Sequence, residues 1–326
     1  MADDVEPGSP WPAYWCSEHG VPLSLEAASW TCPANHAVPT VNEIPRFVPD
    51  AGYAAAFGKQ WNRYRLTQLD SHTGIPITQR RARRCLGEEL WSGLAGKHVL
   101  ECGCGAGRFT EILLARGANV SSIDLSSAVD ANRISCPIGS RHRIAQADIR
   151  HLPFGPQQFD IVFCLGVIQH TPDPEQTITC LYEHVKPGGS LVIDHYRYTP
   201  SWYTQTAPLF RLALKRLPPG DAIRWTERLV ALALPLHRIA SRSAIAEAVV
   251  RRVSPVVSYY RAYPELSPEL QRQWSLLDTH DSLTDWYKHF RTTSQVEHSL
   301  RELGLVDIHC EAAGNGVEAR GRRPIG

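Results

Sequence analysis

The chain has 326 residues, 43% apolar and 21% charged, and its 34 Lys and Arg nearly balance 33 Asp and Glu. That length suits one α/β domain with additions, or two domains, and the composition excludes global disorder. The charge balance gives no overall electrostatic case for nucleic acid or an anionic membrane as partner.

The opening MADDVEPGSPWP has neither a basic leader nor an apolar h-region, so no signal peptide is expected. No apolar run has the length of a membrane span; the nearest, LVALALPLHRIA, is cut by Pro235 and His237. Nine cysteines, an odd number spread over the chain, point to a reducing cytoplasm rather than a disulfide framework. In residues 1–50, Cys16 and His19 are two residues apart and Cys32 and His36 three apart. Two such pairs, brought together by a hairpin over VPLSLEAASWTC, can set four ligands around a structural Zn²⁺. Two unrelated Cys and His pairs are the alternative. A segment so poor in apolar residues would need the metal to fold.

Residues 51–97 read as a linker with covering helices. Tyr53, Phe57, Trp61 and Tyr64 are expected to pack it onto the next domain, while Gln60 or Gln68 could line a cleft. ITQRRARRCLGEELWSGLAGK predicts one amphipathic helix with Ala82, Cys85, Leu86 and Leu90 as its apolar stripe. Arg80, Arg81, Arg83 and Arg84 would then form a solvated or phosphate-seeking face, the solvated one being the usual case for such a run.

Residues 98–196 alternate strand and helix patterns, as in a parallel sheet with crossover helices. HVLECGCGAG is a strand ending at Glu101 that passes through Gly103, Gly105 and Gly107 into a helix, bringing backbone N–H groups close to a ligand. ANVSSIDLS predicts a second strand ending in Asp124, about where a carboxylate meets ribose hydroxyls in a nucleotide-binding unit. RHRIAQAD ends in Asp148, and FDIVFCLG follows. The next helix starts at TPDPEQ, capped by Thr171 or Asp173, and Gly188 and Gly189 in VKPGGS are expected to stop it. LVIDHY ends the run. Polar residues thus gather at the carboxyl ends of the strands, where open parallel sheets bind ligands.

Taken in order, VLECGCGAGRF, SSIDLS, AQADIRHLPF, FDIVFCLGVIQHTPDP and VKPGGSLVI resemble the successive motifs of class I S-adenosylmethionine-dependent methyltransferases, preceded here by a zinc-ribbon-like segment. The resemblance covers roughly residues 75–196 and resumes after about residue 290. A dinucleotide dehydrogenase fits less well, because Ala106 and Arg108 break its glycine fingerprint. The resemblance implies a Rossmann-like, seven-stranded α/β methyltransferase sheet. It also implies that Gly103 and Gly105 face the methionine part of the cofactor, with Glu101 organising the loop and approaching its amino group. Asp124 and Leu125 would lie at the ribose, Asp148 and Ile149 at the adenine, and Leu165 and Gly166 between sulfonium and acceptor. Cys104 reads as a small turn residue, not a nucleophile.

Residues 197–290 form a long, mainly helical insertion, read as a substrate cover, in which LLDTHDSLTDWYKHFRT concentrates Asp278, His280, Asp281, Asp285, Tyr287 and His289. Residues 291–326 return to the core as a helix and an antiparallel strand pair. His170, His195 and His280 are candidate general bases, with Tyr287 a further catalytic candidate. The expected activity is methyl transfer to a small-molecule acceptor in specialised metabolism, in the cytoplasm and with no membrane partner. One alternative is an RNA methyltransferase of the ribosomal guanine type, which the absence of Lys and Arg between Cys16 and His36 disfavours. Another is a non-catalytic S-adenosylmethionine-binding regulator.

Overall fold

The computed structural model describes residues 11–26, 29–49, 52–314 and 316–325; the acidic N-terminal tail lies outside them. The N-terminal segment carries β1 (Ser24–Glu26), β2 (Ser29–Thr31) and β3 (Ala37–Val38) in one small antiparallel sheet, and β4 (Thr40–Val41) with β5 (Ile44–Pro45) in another. The expected hairpin is the β1–β2 pair, with Leu25 opposite Trp30. Three helices follow: α1 (Ala55–Arg63), α2 (Asp70–Thr73) and α3 (Ile77–Ser92).

The core runs β6 (His98–Cys102), α4 (Arg108–Ala115), β7 (Asn119–Asp124), α5 (Ala128–Ser135), β8 (His142–Gln146), β9 (Phe159–Cys164), α6 (Pro174–Glu183) and β10 (Val185–His195). A helical cap of α7 (Ala207–Leu214), α8 (Pro219–Ala240), α9 (Ala244–Val253) and α10 (Pro268–Thr284) intervenes. Then α11 (Thr293–Glu302), β11 (Val306–Ala313) and β12 (Gly316–Arg322) complete the chain. The seven strands lie in the order β11-β12-β10-β9-β6-β7-β8, and β12 is antiparallel to both its neighbours while the other pairs are parallel. Helices cover both faces, so the central strands are apolar on both sides: Val99, Leu100, Val120, Val162 and Ile193 are all fully buried. From β6 the chain winds outward to β7 and β8, and from β9 the opposite way to β10. The carboxyl ends of β6 and β9 therefore flank the switch point where such sheets open a crevice.

Four features sharpen or correct the sequence-based expectation. First, α6 stops at Glu183, and Gly188 and Gly189 lie inside β10. The strand already pairs at Val185 with Phe159, and a register irregularity between Val185 and Ser190 takes up the Pro187 and glycine stretch. Second, Pro235 interrupts the apolar run but not the helix: α8 continues through it, and because the proline is exposed the carbonyl it leaves unpaired can face water. Third, α3 is broken at Gly87, whose φ of 72° and ψ of 165° are not helical. Fourth, the arginines of α3 do not form one solvated face. Arg81 is half-buried against Asp194, and Arg84 reaches Glu318 of β12 in a bidentate pair (2.7 Å for both bonds), so together they pin α3 to the sheet. At the start of α6, Asp173 is the N-cap, its Oδ1 accepting the Glu175 and Gln176 N–H groups.

The main hydrophobic core is continuous from the N-terminal segment into the sheet. Tyr14 lies 4.9 Å, ring to ring, from Trp30 and 5.2 Å from Phe154, which in turn meets Phe159 of β9.

Candidate functional site

A cleft of about 1030 Å³ opens at the carboxyl ends of β6, β7 and β9, beneath the cap and behind α1. Its sheet-side wall is the glycine turn. Gly103 and Gly105 have φ of 76° and 51°; a Cβ on Gly103 would overlap Val167, and one on Gly105 would lie 3.2 Å from Trp61. The Gly103 and Cys104 N–H groups donate to the Ile123 carbonyl, fixing the turn to the end of β7. Asp124 Oδ2 accepts the Gly105 N–H at 3.0 Å, and Oδ1 accepts from the Ser126 N–H and hydroxyl. Burial raises its carboxyl above the ordinary range, against the pull of these hydrogen bonds.

Leu125, Ile149, Leu165 and Gly166 continue this wall. Asp148 is held by Arg150 at 2.6 Å, its side chain mostly buried. The Gly166 N–H donates to Asp194 Oδ1 at 2.6 Å, while the other oxygen of Asp194 pairs with Arg81, so one carboxylate braces the turn after β9 from two sides. Glu101 is buried under the turn. Its Oε2 accepts from Thr110 and Ser122, while Oε1 has no hydrogen-bond partner. Burial lifts its carboxyl to about 7, although those two hydrogen bonds pull the other way. Burial and the nearby Asp124 raise the Cys104 thiol well above its ordinary value, so it is no thiolate nucleophile.

The opposite wall belongs to the cap. His170 follows β9, lines the cleft and is 6% exposed. Its Nδ1 lies 3.0 Å from Asp285 Oδ2 and its Nε2 3.9 Å from Asp281 Oδ2, with no hydrogen-bond partner at Nε2. Phe57 and Tyr196 contact the ring edge-on at 5.5 and 5.2 Å. Asp285 is also 2.6 Å from Arg211 Nε and 2.9 Å from Lys288 Nζ. Burial alone would raise its carboxyl, but Lys288, His170 and Arg211 outweigh that and bring it down to about 2. Asp278 accepts from Gln68 and Tyr259; burial and the adjacent Asp281 lift it to about 7 despite Arg108 and Arg81.

The remaining candidates lie elsewhere. His195 is buried at the end of β10 with Nδ1 3.1 Å from the Tyr196 carbonyl, and His280 is buried with Nδ1 3.2 Å from Thr226; neither lines the cleft, and burial lowers both to about 4. Their position follows from register: on α10, Asp278, Asp281 and Ser282 face the cleft, and His280 turns into the α8 packing. Tyr287 stands edge-on to Tyr53, itself on the wall, and offers its carbonyl 3.3 Å from His170 Nδ1. Arg108 and Lys288 line the cleft, though the sequence had not marked either as a site residue. Arg108 entered only as a residue that breaks the dehydrogenase glycine fingerprint.

In the N-terminal segment, one donor atom each of Cys16, His19 and His36 lies within 4.8 Å of the other two. Cys32 Sγ is 3.5 Å from His19 Nδ1, and both cysteines are buried. Glu18 lies 3.4 Å from His36 Nε2, where it can orient the ring.

Residues 100–193 match the family model described as a methyltransferase domain. The core, residues 100–193, is a methyltransferase domain. A ubiquinone biosynthesis O-methyltransferase of Pseudomonas putida (strain GB-1) is 34% identical over 133 residues, which are 40% of this chain and 57% of that protein. The protein of that name from Pseudomonas fluorescens is 33% identical over 132 residues, again 39% of this chain and 56% of its own length. The chain thus spans little more than half the length of the curated relatives it matches. Among solved structures, human N-acetylserotonin methyltransferase in complex with its cofactor aligns with a TM-score of 0.45 at 14% identity, over 82% of this chain and 56% of that one. An S-adenosylmethionine-dependent methyltransferase from Mesorhizobium loti aligns with a TM-score of 0.44 at 15% identity, over 76% and 98%.

Proposed function

We propose that the protein transfers a methyl group from S-adenosylmethionine to a hydroxyl of a small molecule in specialised metabolism. The observation that supports this most is one cleft with the glycine turn and Asp124 on one wall and His170, with an unpartnered Nε2, on the other. The site fits the cofactor on its own terms. The glycine cradle would be filled by a Cβ at Gly103, Asp124 sits where ribose hydroxyls would meet a carboxylate, and the buried Glu101 Oε1 is an acceptor left free. Bound S-adenosylmethionine would supply an electrophilic methyl carbon on a sulfonium. Asp285, held ionised, keeps the Nδ1 side of His170 occupied and leaves Nε2 as the free ring nitrogen. His170 Nε2 takes the acceptor hydroxyl proton as the oxygen–carbon bond forms and the carbon–sulfur bond breaks, leaving S-adenosylhomocysteine, methylated product and a protonated imidazole. The relatives' printed names, O-methyltransferases, agree with an oxygen acceptor.

Calorimetry with S-adenosylmethionine tests the cofactor half. Asp124→Ala is expected to weaken binding about a hundredfold, and unchanged affinity would remove the assigned pocket. Methyl transfer to a panel of phenols and alcohols, read by mass, tests the acceptor class; exclusive labelling of amines or carbons would overturn it. The N-terminal Cys16, His19, Cys32 and His36 are read as a structural zinc site. Purified protein should then contain about one zinc per chain, and Cys16→Ser should lose it together with several degrees of melting temperature.

A further inference from the structure

We infer that the outer face of α8 and α9 docks on an anionic lipid bilayer, as a surface contact and not a span. No helix of the described residues is long and apolar enough to cross a membrane. On α8, Trp225, Leu232, Leu236 and Ile239 follow one another at helical spacing along a single stripe, all exposed, Leu232 to 81%. On α9, Ile245, Val249 and Val253 repeat the pattern, Ile245 at 79%. A turn of three residues joins the two helices, so the stripes adjoin; α9 also carries a shallow apolar groove between Ile245, Val249 and Arg252. A run of exposed aliphatic side chains this dense is uncommon on a surface that stays in water.

Charge decides what covers it. From the start of α7 to the end of α9 there are nine Lys and Arg against three Asp and Glu, a net charge of +6 in a chain that totals +1. Arg228 and Arg238 of α8, Arg242 in the turn and Arg252 of α9 are exposed beside the apolar stripes. An apolar stripe flanked by arginines is the pattern of helices that lie in the headgroup layer, with acyl chains below and anionic headgroups beside them. A second copy of this chain meeting it about a two-fold axis would set the exposed arginines of α8 and α9 against one another. The sequence-based expectation of no membrane partner rested on span length and whole-chain charge, and neither registers a charge confined to two or three helices. Glu247 and Arg251 of α9 line the cleft from the other side of the helix, so docking would leave α9 between the lipid and the cleft.

Vesicle flotation with the full chain is the test. The protein should float with vesicles containing about one third phosphatidylglycerol, and bind pure phosphatidylcholine about tenfold less. Raising salt to about 0.5 M should weaken the anionic binding. Leu232→Glu with Ile245→Glu should reduce it about tenfold again at an unchanged melting temperature, since both sites are exposed. Arg238→Glu with Arg242→Glu should do the same without touching the apolar stripe. Absence of flotation, or binding that both double variants leave intact, would overturn the inference. So would sedimentation equilibrium showing a dimer that Leu232→Glu dissociates, because a second copy would then be the occupant.

Discussion

On the sheet side of the cleft the backbone does most of the positioning. The Gly103 and Cys104 N–H groups are committed to the Ile123 carbonyl, the Gly105 N–H to Asp124, and the Gly166 N–H to Asp194. On the cap side the same task falls to side chains: Arg211, Lys288 and Asp285 behind His170, and Gln68 and Tyr259 around Asp278. A backbone-built wall suits a ligand that is the same in every turnover, and a wall of side chains can change its acceptor through substitution. The contrast predicts that damage on one wall leaves the function of the other in place.

The largest effect is expected at Asp285. Asp285→Asn would leave Arg211 and Lys288 buried against a neutral amide, costing about 3–5 kcal/mol of stability by denaturant titration. A cost under about 1 kcal/mol would mean that solvent already screens the cluster. His170→Gln keeps a polar ring substitute but no base. The expected fall in kcat is about a thousandfold, with S-adenosylmethionine affinity unchanged by calorimetry. If affinity fell as much as kcat, the two walls would not be separable.

Glu101 gives a smaller, pH-dependent signal from the sheet side. Its carboxyl is raised from 4.5 to about 7 in the fold, so the folded state prefers the protonated form. Its favourable contribution is therefore complete below about pH 4.5 and lost as pH rises through 7. Relative to Glu101→Gln, the wild type should lose about 3 kcal/mol across that window. A difference in stability that stays flat from pH 4 to 8 would show that burial does not shift the Glu101 carboxyl from its unfolded value. The test applies to protein without cofactor, since an ammonium group beside Oε1 would favour the carboxylate.

How much of this could be read from the residues follows the same division. The glycine turn, Asp124 and the strand after LPFGPQQ were legible because each depends on local constraints: positive φ at Gly103 and Gly105, two-sided burial of β6 and β9, and turn chemistry between them. The Asp173 cap was legible for the same reason. The partner of His170 was not, since Asp285 lies far along the chain and reaches it only through the path of α10. Four arginines in α3 look alike as letters, yet Arg81 and Arg84 are paired with Asp194 and Glu318 because β10 and β12 end beneath them. His195 and His280 read as equivalent to His170; strand end and helix register, which no spacing rule supplies across such distances, set them apart from the cleft. The pair Gly188 and Gly189 misled because a glycine doublet after a helix can end that helix or enter a strand at a bulge.

The ring contacts from Trp30 through Tyr14 to Phe154 and Phe159 tie the Cys and His cluster to the strand beneath the cleft. Such a bridge makes the two regions one cooperative unit, so amides near Cys16 and amides of β9 should exchange with solvent by the same opening event. Removing the proposed zinc from the Cys and His cluster would then surface as faster exchange in β9, and heat would melt both in a single step. A shortage of the proposed zinc would in that case act through turnover of the protein, with the chemistry proposed for the cleft unaltered in each surviving molecule.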